Sequence, residues 1–220
     1  MRVILFGATG MLGQGVLREC LLDKDVESVL SVGRSETGLQ HPKLLEIVQR
    51  DLFALEAIGS KLDGYGICLY CLGVSSFRMP EKDYRRLTLD LTVAIAETLL
   101  RHNPGLRFLF ISGTGTDSAG SSSQMWARVK GEAENALFRM PFGAVYMFRP
   151  GFIRPLHGNL PRAAWMRAFY TLATPLFPVL RALLPKHVST TEELGRAMLH
   201  VAKHGYGRPV LENWDFRKAR

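Results

Sequence analysis

The sequence predicts an α/β protein: a doubly wound parallel sheet with helices on both faces and a small, mostly helical C-terminal cap. Three observations carry that reading. Apolar runs of strand length alternate with stretches of helical period across the first 150 residues. The joints between them are short and rich in glycine, asparagine, serine or proline. The first apolar run passes directly into Gly7-Ala-Thr-Gly10-Met-Leu-Gly13 and then into a helical pattern, the opening of a βαβ unit.

Residues 3–6 are apolar throughout, as a strand buried on both faces requires. Residues 11–22 follow as a helix, with Leu12, Val16, Leu17, Cys20 and Leu21 on one side. A second strand is expected over 26–32 and ends at Gly33-Arg34-Ser35; a third covers 44–48 and is followed by Asp51-Leu52-Phe53. A short helix over 55–61 leads to a fourth strand over 65–71, closed by Leu72-Gly73. Residues 81–102 read as a helix stopped by Asn103-Pro104-Gly105. Residues 106–111 form the fifth strand, with Ser112-Gly113-Thr114-Gly115 as its loop, and Ser121 to Ser123 offer a cap for a helix reaching Arg139. Residues 144–148 are the sixth strand, ending at Arg149-Pro150-Gly151. Right-handed crossovers then gather every C-terminal strand loop along one crevice, where such sheets bind ligands.

Within the first turn each glycine answers a different steric need. Gly7 lets the chain turn off the strand, Gly10 admits a pyrophosphate against bare backbone, and Gly13 lets the helix pack closely on the sheet. The helix N-terminus then offers free N–H groups and a positive dipole end to phosphate.

Beyond residue 150 the composition shifts. Eight of the eleven prolines lie after residue 140. The chain is therefore divided into a dinucleotide-binding core over 1–150, a helical substrate cap over 151–188, and a C-terminal helix over 189–220 that returns to the core. Ser189 or Thr190, followed by Glu192 and Glu193, marks that helix start, and 209–211 is a candidate final strand. The apolar segment 163–184, with Trp165, Phe169, Tyr170 and Phe177, is read as the inner wall of the cap, with a membrane-surface or oligomer contact as the alternatives.

The chain holds 28 basic and 20 acidic residues, a net charge of +8. No acidic residue lies between Glu134 and Glu192, which favours an anionic partner such as a phosphorylated or carboxylated small substrate. The absence of a compact basic run argues against nucleic acid. Cys20, Cys68 and Cys71 sit in apolar patterns, suiting free thiols in a reducing cytoplasm, and Met1 leads straight into the first strand without a targeting segment. Cys68 and Cys71 would point to opposite faces of a strand, and His200 with His204 lacks a third ligand, so no metal site is expected.

Gly7-Ala-Thr-Gly10-Met-Leu-Gly13, Asp51-Leu52, Cys71-Leu-Gly73, Ile111-Ser112, Lys130-Gly-Glu-Ala and Arg149-Pro-Gly151 occur in one order across residues 1–155. In that order they resemble the short-chain dehydrogenase/reductase superfamily. The nearest likeness is to its atypical members, the Tat-interacting-protein-like and NmrA-like proteins that share features with NAD-dependent epimerase/dehydratases. The resemblance implies a Rossmann-type fold and a nicotinamide cofactor. Thr9, Gly10, Met11 and Leu12 would lie along the pyrophosphate, Asp51 and Leu52 would flank the adenine, and Cys71, Leu72 and Gly73 would line the adenosine-ribose side. Pro150 would border the cofactor, Lys130 would bond the nicotinamide ribose, and Ser112 would orient a carbonyl. Arg34 stands where NAD-specific sites place an acid; a guanidinium there suits the 2′-phosphate of NADP. The departure is Trp126, four residues before Lys130, where the family pattern has the proton-transferring tyrosine. An indole cannot exchange a proton near neutral pH. The sequence thus leaves an oxidoreductase or epimerase-like enzyme beside a non-catalytic NADP-dependent sensor or scaffold, with Tyr84 and Tyr146 as possible substitutes.

Overall fold

The computed structural model describes residues 1–158, 167, 170–172 and 174–219. Strands β1 (Arg2–Phe6), β2 (Ser28–Gly33), β3 (Leu44–Val48), β4 (Ile67–Tyr70), β5 (Arg107–Ile111) and β6 (Ala144–Arg149) follow the expected order. Two short strands that the sequence did not signal, β7 (Phe152–Arg154) and β8 (Val188–Thr190), precede β9 (Val210–Glu212). Seven strands make one sheet in the order β3-β2-β1-β4-β5-β6-β9, every neighbouring pair parallel; β7 and β8 pair separately. This is the doubly wound α/β architecture, and the strand order reverses between β1 and β4.

Alternation along the strands divides the core in two. Val3, Leu5 and Val29 face Val16, Leu17 and Cys20 of helix α1 (Met11–Leu22) on one side of the sheet. On the other side, Ile4, Phe6, Tyr70 and Phe108 pack with Ile95 and Leu99. Cys68 and Cys71 fall in opposite clusters, as strand geometry demands.

The helix expected over 81–102 is continuous but not uniform. Segments α2 (Glu81–Arg85) and α3 (Leu91–His102) are joined by a π-helical turn, Arg86–Asp90. Helix α4 (Met125–Phe138) starts later than its serines suggested and has no side-chain cap. Ser122 Oγ instead accepts from the Gln124 N–H at 3.1 Å, while the Asp117 carboxylate accepts from the Ser122 N–H. These local bonds hold the serines in a turn rather than at the helix start.

After β7 the described residues include α5 (Phe177–Leu183), whose Phe177 is buried against Phe152 and beneath the Arg154 guanidinium. Residues 159–166, 168, 169 and 173, and with them Trp165 and Phe169 of the expected cap wall, lie outside the described residues. Helix α6 (Thr191–His204) begins as expected, with Thr190 and Glu193 bonded reciprocally in a capping box. It lies tightly on α1: a Cβ on Gly15 would come 2.6 Å from Thr191 Cβ, and one on Gly195 2.8 Å from Glu19 Cγ.

Candidate functional site

The reversal point of the sheet carries the glycine turn. Gly7 has φ +81°, and a Cβ there would lie 2.6 Å from the Cys71 carbonyl oxygen. A Cβ on Gly13 would lie 2.0 Å from the Gly7 carbonyl oxygen, so α1 touches its own entry turn. Gly10 differs: its Cβ would meet only the Gly7 oxygen, at 3.3 Å. The space in front of Gly10 is open. Gly10 is the N-cap of α1, and no side chain caps the helix, so its first N–H groups, at Met11, Leu12 and Gly13, lack an intrahelical partner.

Three cavities meet at Leu72. One is lined by Gly7, Thr9, Ser31, Gly33, Arg34 and Leu52. The largest of the three, about 280 Å³, is bordered by Arg34, Arg50, Asp51, Leu52, Gly73 and Arg86 among others. The third runs past Gly73 to Tyr84, Thr88, Phe110 and Lys130. Together they trace a cleft from the glycine turn past the ends of β2 and β3 and back to α4. The fold thus brings Gly7, Thr9, Arg34, Asp51, Leu52, Leu72, Gly73 and Lys130 to one cleft.

Electrostatically, one end of this cleft is cationic. Arg34, Arg50 and Arg86 come from three different elements, and none forms a described ion pair. Arg86 lies over the Phe53 ring, 5.5 Å from its centroid. The sequence reading named Arg34 and missed the other two. Arg50 had a signal, since it directly precedes Asp51 at a strand's C-terminal end. Arg86 had none, because the π turn carries it out of the helical period. Asp51 Oδ1 accepts from the Phe53 N–H at 3.0 Å, so it also caps the 3₁₀ stretch Leu52–Leu62.

At the other end, Lys130 Nζ donates to the Ser112 carbonyl at 2.9 Å and lies 5.8 Å from the Phe110 ring centroid. Burial disfavours its ammonium form and lowers its pKa to about 8, against a smaller opposing pull from Glu134. The buried Ser112 hydroxyl shares a 2.9 Å hydrogen bond with Thr116 Oγ1. Trp126 packs over the loop after β5; Cβ atoms on Gly113 and Gly115 would stand 3.8 and 3.5 Å from its ring. Tyr84 lines the same small cavity as Lys130, whereas Tyr146 accepts from the Tyr206 N–H and lies against Gly205. Only Tyr84 is placed near the cleft.

The remaining expected residues frame the site. Cys71 packs into the α1-side core. The Pro150 carbonyl accepts from the Thr114 N–H at 2.9 Å and Thr114 Oγ1 donates to the Arg149 carbonyl at 3.0 Å, so the loops after β5 and β6 are sewn together. Arg149 is itself spent on Glu134, which is fully buried. Among the described residues no cluster of three or more metal-binding side chains occurs. His200 and His204 lie beside each other with ring centroids 4.9 Å apart and planes tilted by 55°, along a hollow shared with Glu19 and Asp23.

No family model matches the chain. It is similar to the HTATIP2 protein of Rattus norvegicus, 26% identical over an alignment of 226 positions, gaps included, that covers 93% of this chain and 90% of the relative. It is also similar to the mitochondrial FMP52 protein of Meyerozyma guilliermondii, at 22% identity over 81% of this chain and 79% of the relative. Among solved structures, MoeE5 in complex with UDP-glucose and NAD superposes with a TM-score of 0.65 at 17% identity, covering 96% of this chain and 74% of the other. Near-full-length likeness to HTATIP2 and the seven-stranded parallel sheet make this chain a Rossmann-fold relative of HTATIP2, whose ordered motifs resemble those of the atypical short-chain dehydrogenase/reductases.

Proposed function

We propose that the cleft binds NADP and that the protein is an oxidoreductase or epimerase-like enzyme acting on a small, anionic or apolar substrate. The observation that carries this is the meeting of an open glycine turn with three guanidinium groups that form no ion pair among the described residues, along one cleft. The turn fits a pyrophosphate because Gly10 leaves the uncapped α1 N-terminus uncovered. Arg34 and Arg50 supply the forked donors that a ribose 2′-phosphate needs, and Arg86 on Phe53 offers a planar face to adenine. When bound, a nicotinamide cofactor supplies hydride chemistry. Lys130 holds the ribose hydroxyls from its anchor on the Ser112 carbonyl, and Ser112 with Thr116 orients an oxygen of the substrate.

The proton partner is the open part of the reading. Trp126 packs on Gly113 and Gly115 and has no acid–base capacity, which favours a second reading: an NADP-dependent sensor or scaffold that does not turn over. Tyr84 lines the cavity that Lys130 also lines and is our candidate for that role if the protein is an enzyme, although burial raises its phenol above the ordinary value.

Lys130 provides the test. Its ammonium is charged below about pH 8 and neutral above. NADPH affinity, followed by fluorescence titration, is expected to fall as pH rises through about 8. In Lys130→Ala it should be weaker by about tenfold to a hundredfold at pH 7 and flat across that range, the loss of one charged hydrogen bond. Unchanged affinity in the variant would overturn the placement of Lys130 on the cofactor.

A further inference from the structure

Residues 170–172 and 174–184 present an apolar stripe to solvent. Leu172 is 76% exposed, Leu176 58%, Val179 55% and Leu183 73%, and Leu184 continues the strip at 49%. Leu176, the N-cap of α5, and Val179 and Leu183 within it are spaced by three and four residues and so share one side of that helix, with Leu172 exposed before it. The opposite side is anchored: Phe177 is buried against Phe152, and Tyr170 stacks on the same ring at 5.5 Å. The stripe therefore faces outward because its other face is already used. Isolated exposed leucines are ordinary, but an aligned row of this length is not.

Charge selects the occupant. No aspartate or glutamate occurs from residue 135 to residue 191, and the stripe is bordered by exposed Arg167 and Lys186 and by half-exposed Arg181. Glu193, the nearest paired acid, is shared by Arg181 and Arg217, so that cluster stays positive. Two copies of such a surface would bring like charges together. We infer that this stripe docks on an anionic lipid bilayer, lying in the interfacial plane with its aliphatic side chains in the acyl boundary and its basic residues at the headgroups. Among the described residues no helix is long and apolar enough to cross a membrane, so the contact is peripheral. Strand β7, which anchors the stripe through Phe152, follows directly from β6 at the crevice edge of the sheet, so docking brings that edge towards the bilayer.

The experiment is co-sedimentation of the full chain with phosphatidylcholine vesicles, with and without phosphatidylserine. Binding to the anionic vesicles only, reduced by raising the salt to about 1 M, is expected. Leu176→Glu combined with Val179→Glu should lower partitioning at least about tenfold while leaving NADPH affinity and the circular dichroism spectrum unchanged. Should that variant fail to fold, Leu183→Glu with Lys186→Ala carries the same expectation at positions farther from Phe177. Three results would overturn the inference: no binding to anionic vesicles, equal binding to neutral ones, or self-association through the stripe without vesicle binding. A variant that lost NADPH affinity while still binding anionic vesicles would overturn it too, placing the stripe on the nucleotide cleft, whereas a parent that binds vesicles but no nucleotide would sink the cofactor reading and support the surface.

Discussion

Replacing Glu134 with alanine is expected to destabilise the protein by about 3–5 kcal/mol, read as a drop in the urea midpoint. Glu134 is fully buried on α4, and its two oxygens take Arg149 Nε at 3.0 Å, Arg149 Nη2 at 2.5 Å and Ser118 Oγ at 2.9 Å. Removing it leaves the Arg149 guanidinium, itself largely buried, without its close carboxylate: what remains is the neutral Ser118 hydroxyl at 2.9 Å and a longer 3.4 Å contact to Glu212. Losing one partner costs more than losing both, because the survivor keeps its desolvation penalty. Glu134→Leu with Arg149→Met should therefore recover much of the loss. A single-variant loss below about 1 kcal/mol would show that the pair is solvated rather than buried.

Gly13→Val is expected to be comparably severe, about 3 kcal/mol or more, and to abolish nucleotide binding. Its Cβ would sit 2.0 Å from the Gly7 carbonyl oxygen, so either α1 or the turn must move. Gly10→Ala separates the two effects. There the new carbon meets only the Gly7 oxygen, at 3.3 Å, and fills the space in front of the helix N-terminus. Thermal stability should change little while nucleotide affinity falls. If Gly10→Ala bound nucleotide normally and Gly13→Val melted with the parent, the turn would not be built as described.

Those glycines also show how much of the fold was legible in the sequence. A strand of four apolar residues, a spaced glycine turn and a periodic helix are local signals, and β1, α1 and the parallel order follow from them. Strands β7 and β8 have three residues each and exist because Gly151 lets the backbone of His187 approach; its Cβ would lie 2.4 Å from that carbonyl oxygen. Nothing local announces such a pair. Within the site, Arg34 was legible because a strand end has a fixed place in this topology. Arg86 was not, since the π turn that aims it breaks the period by which helices are read. Asp51 was expected beside the adenine through the family resemblance, and the structure shows in addition that it caps the 3₁₀ stretch after β3.

If arginine reads a 2′-phosphate in this cleft, the protein must discriminate between the two nicotinamide nucleotides. Purified protein would be titrated with NADPH and NADH by fluorescence, beside Arg34→Asp. NADPH is expected to bind tighter by about a hundredfold, the worth of a forked, charge-assisted contact, with the preference reversed in the variant, whose carboxylate would accept from a free 2′-hydroxyl and repel the phosphate. Equal affinity for both nucleotides, an unchanged preference in the variant, or no binding of either would contradict it.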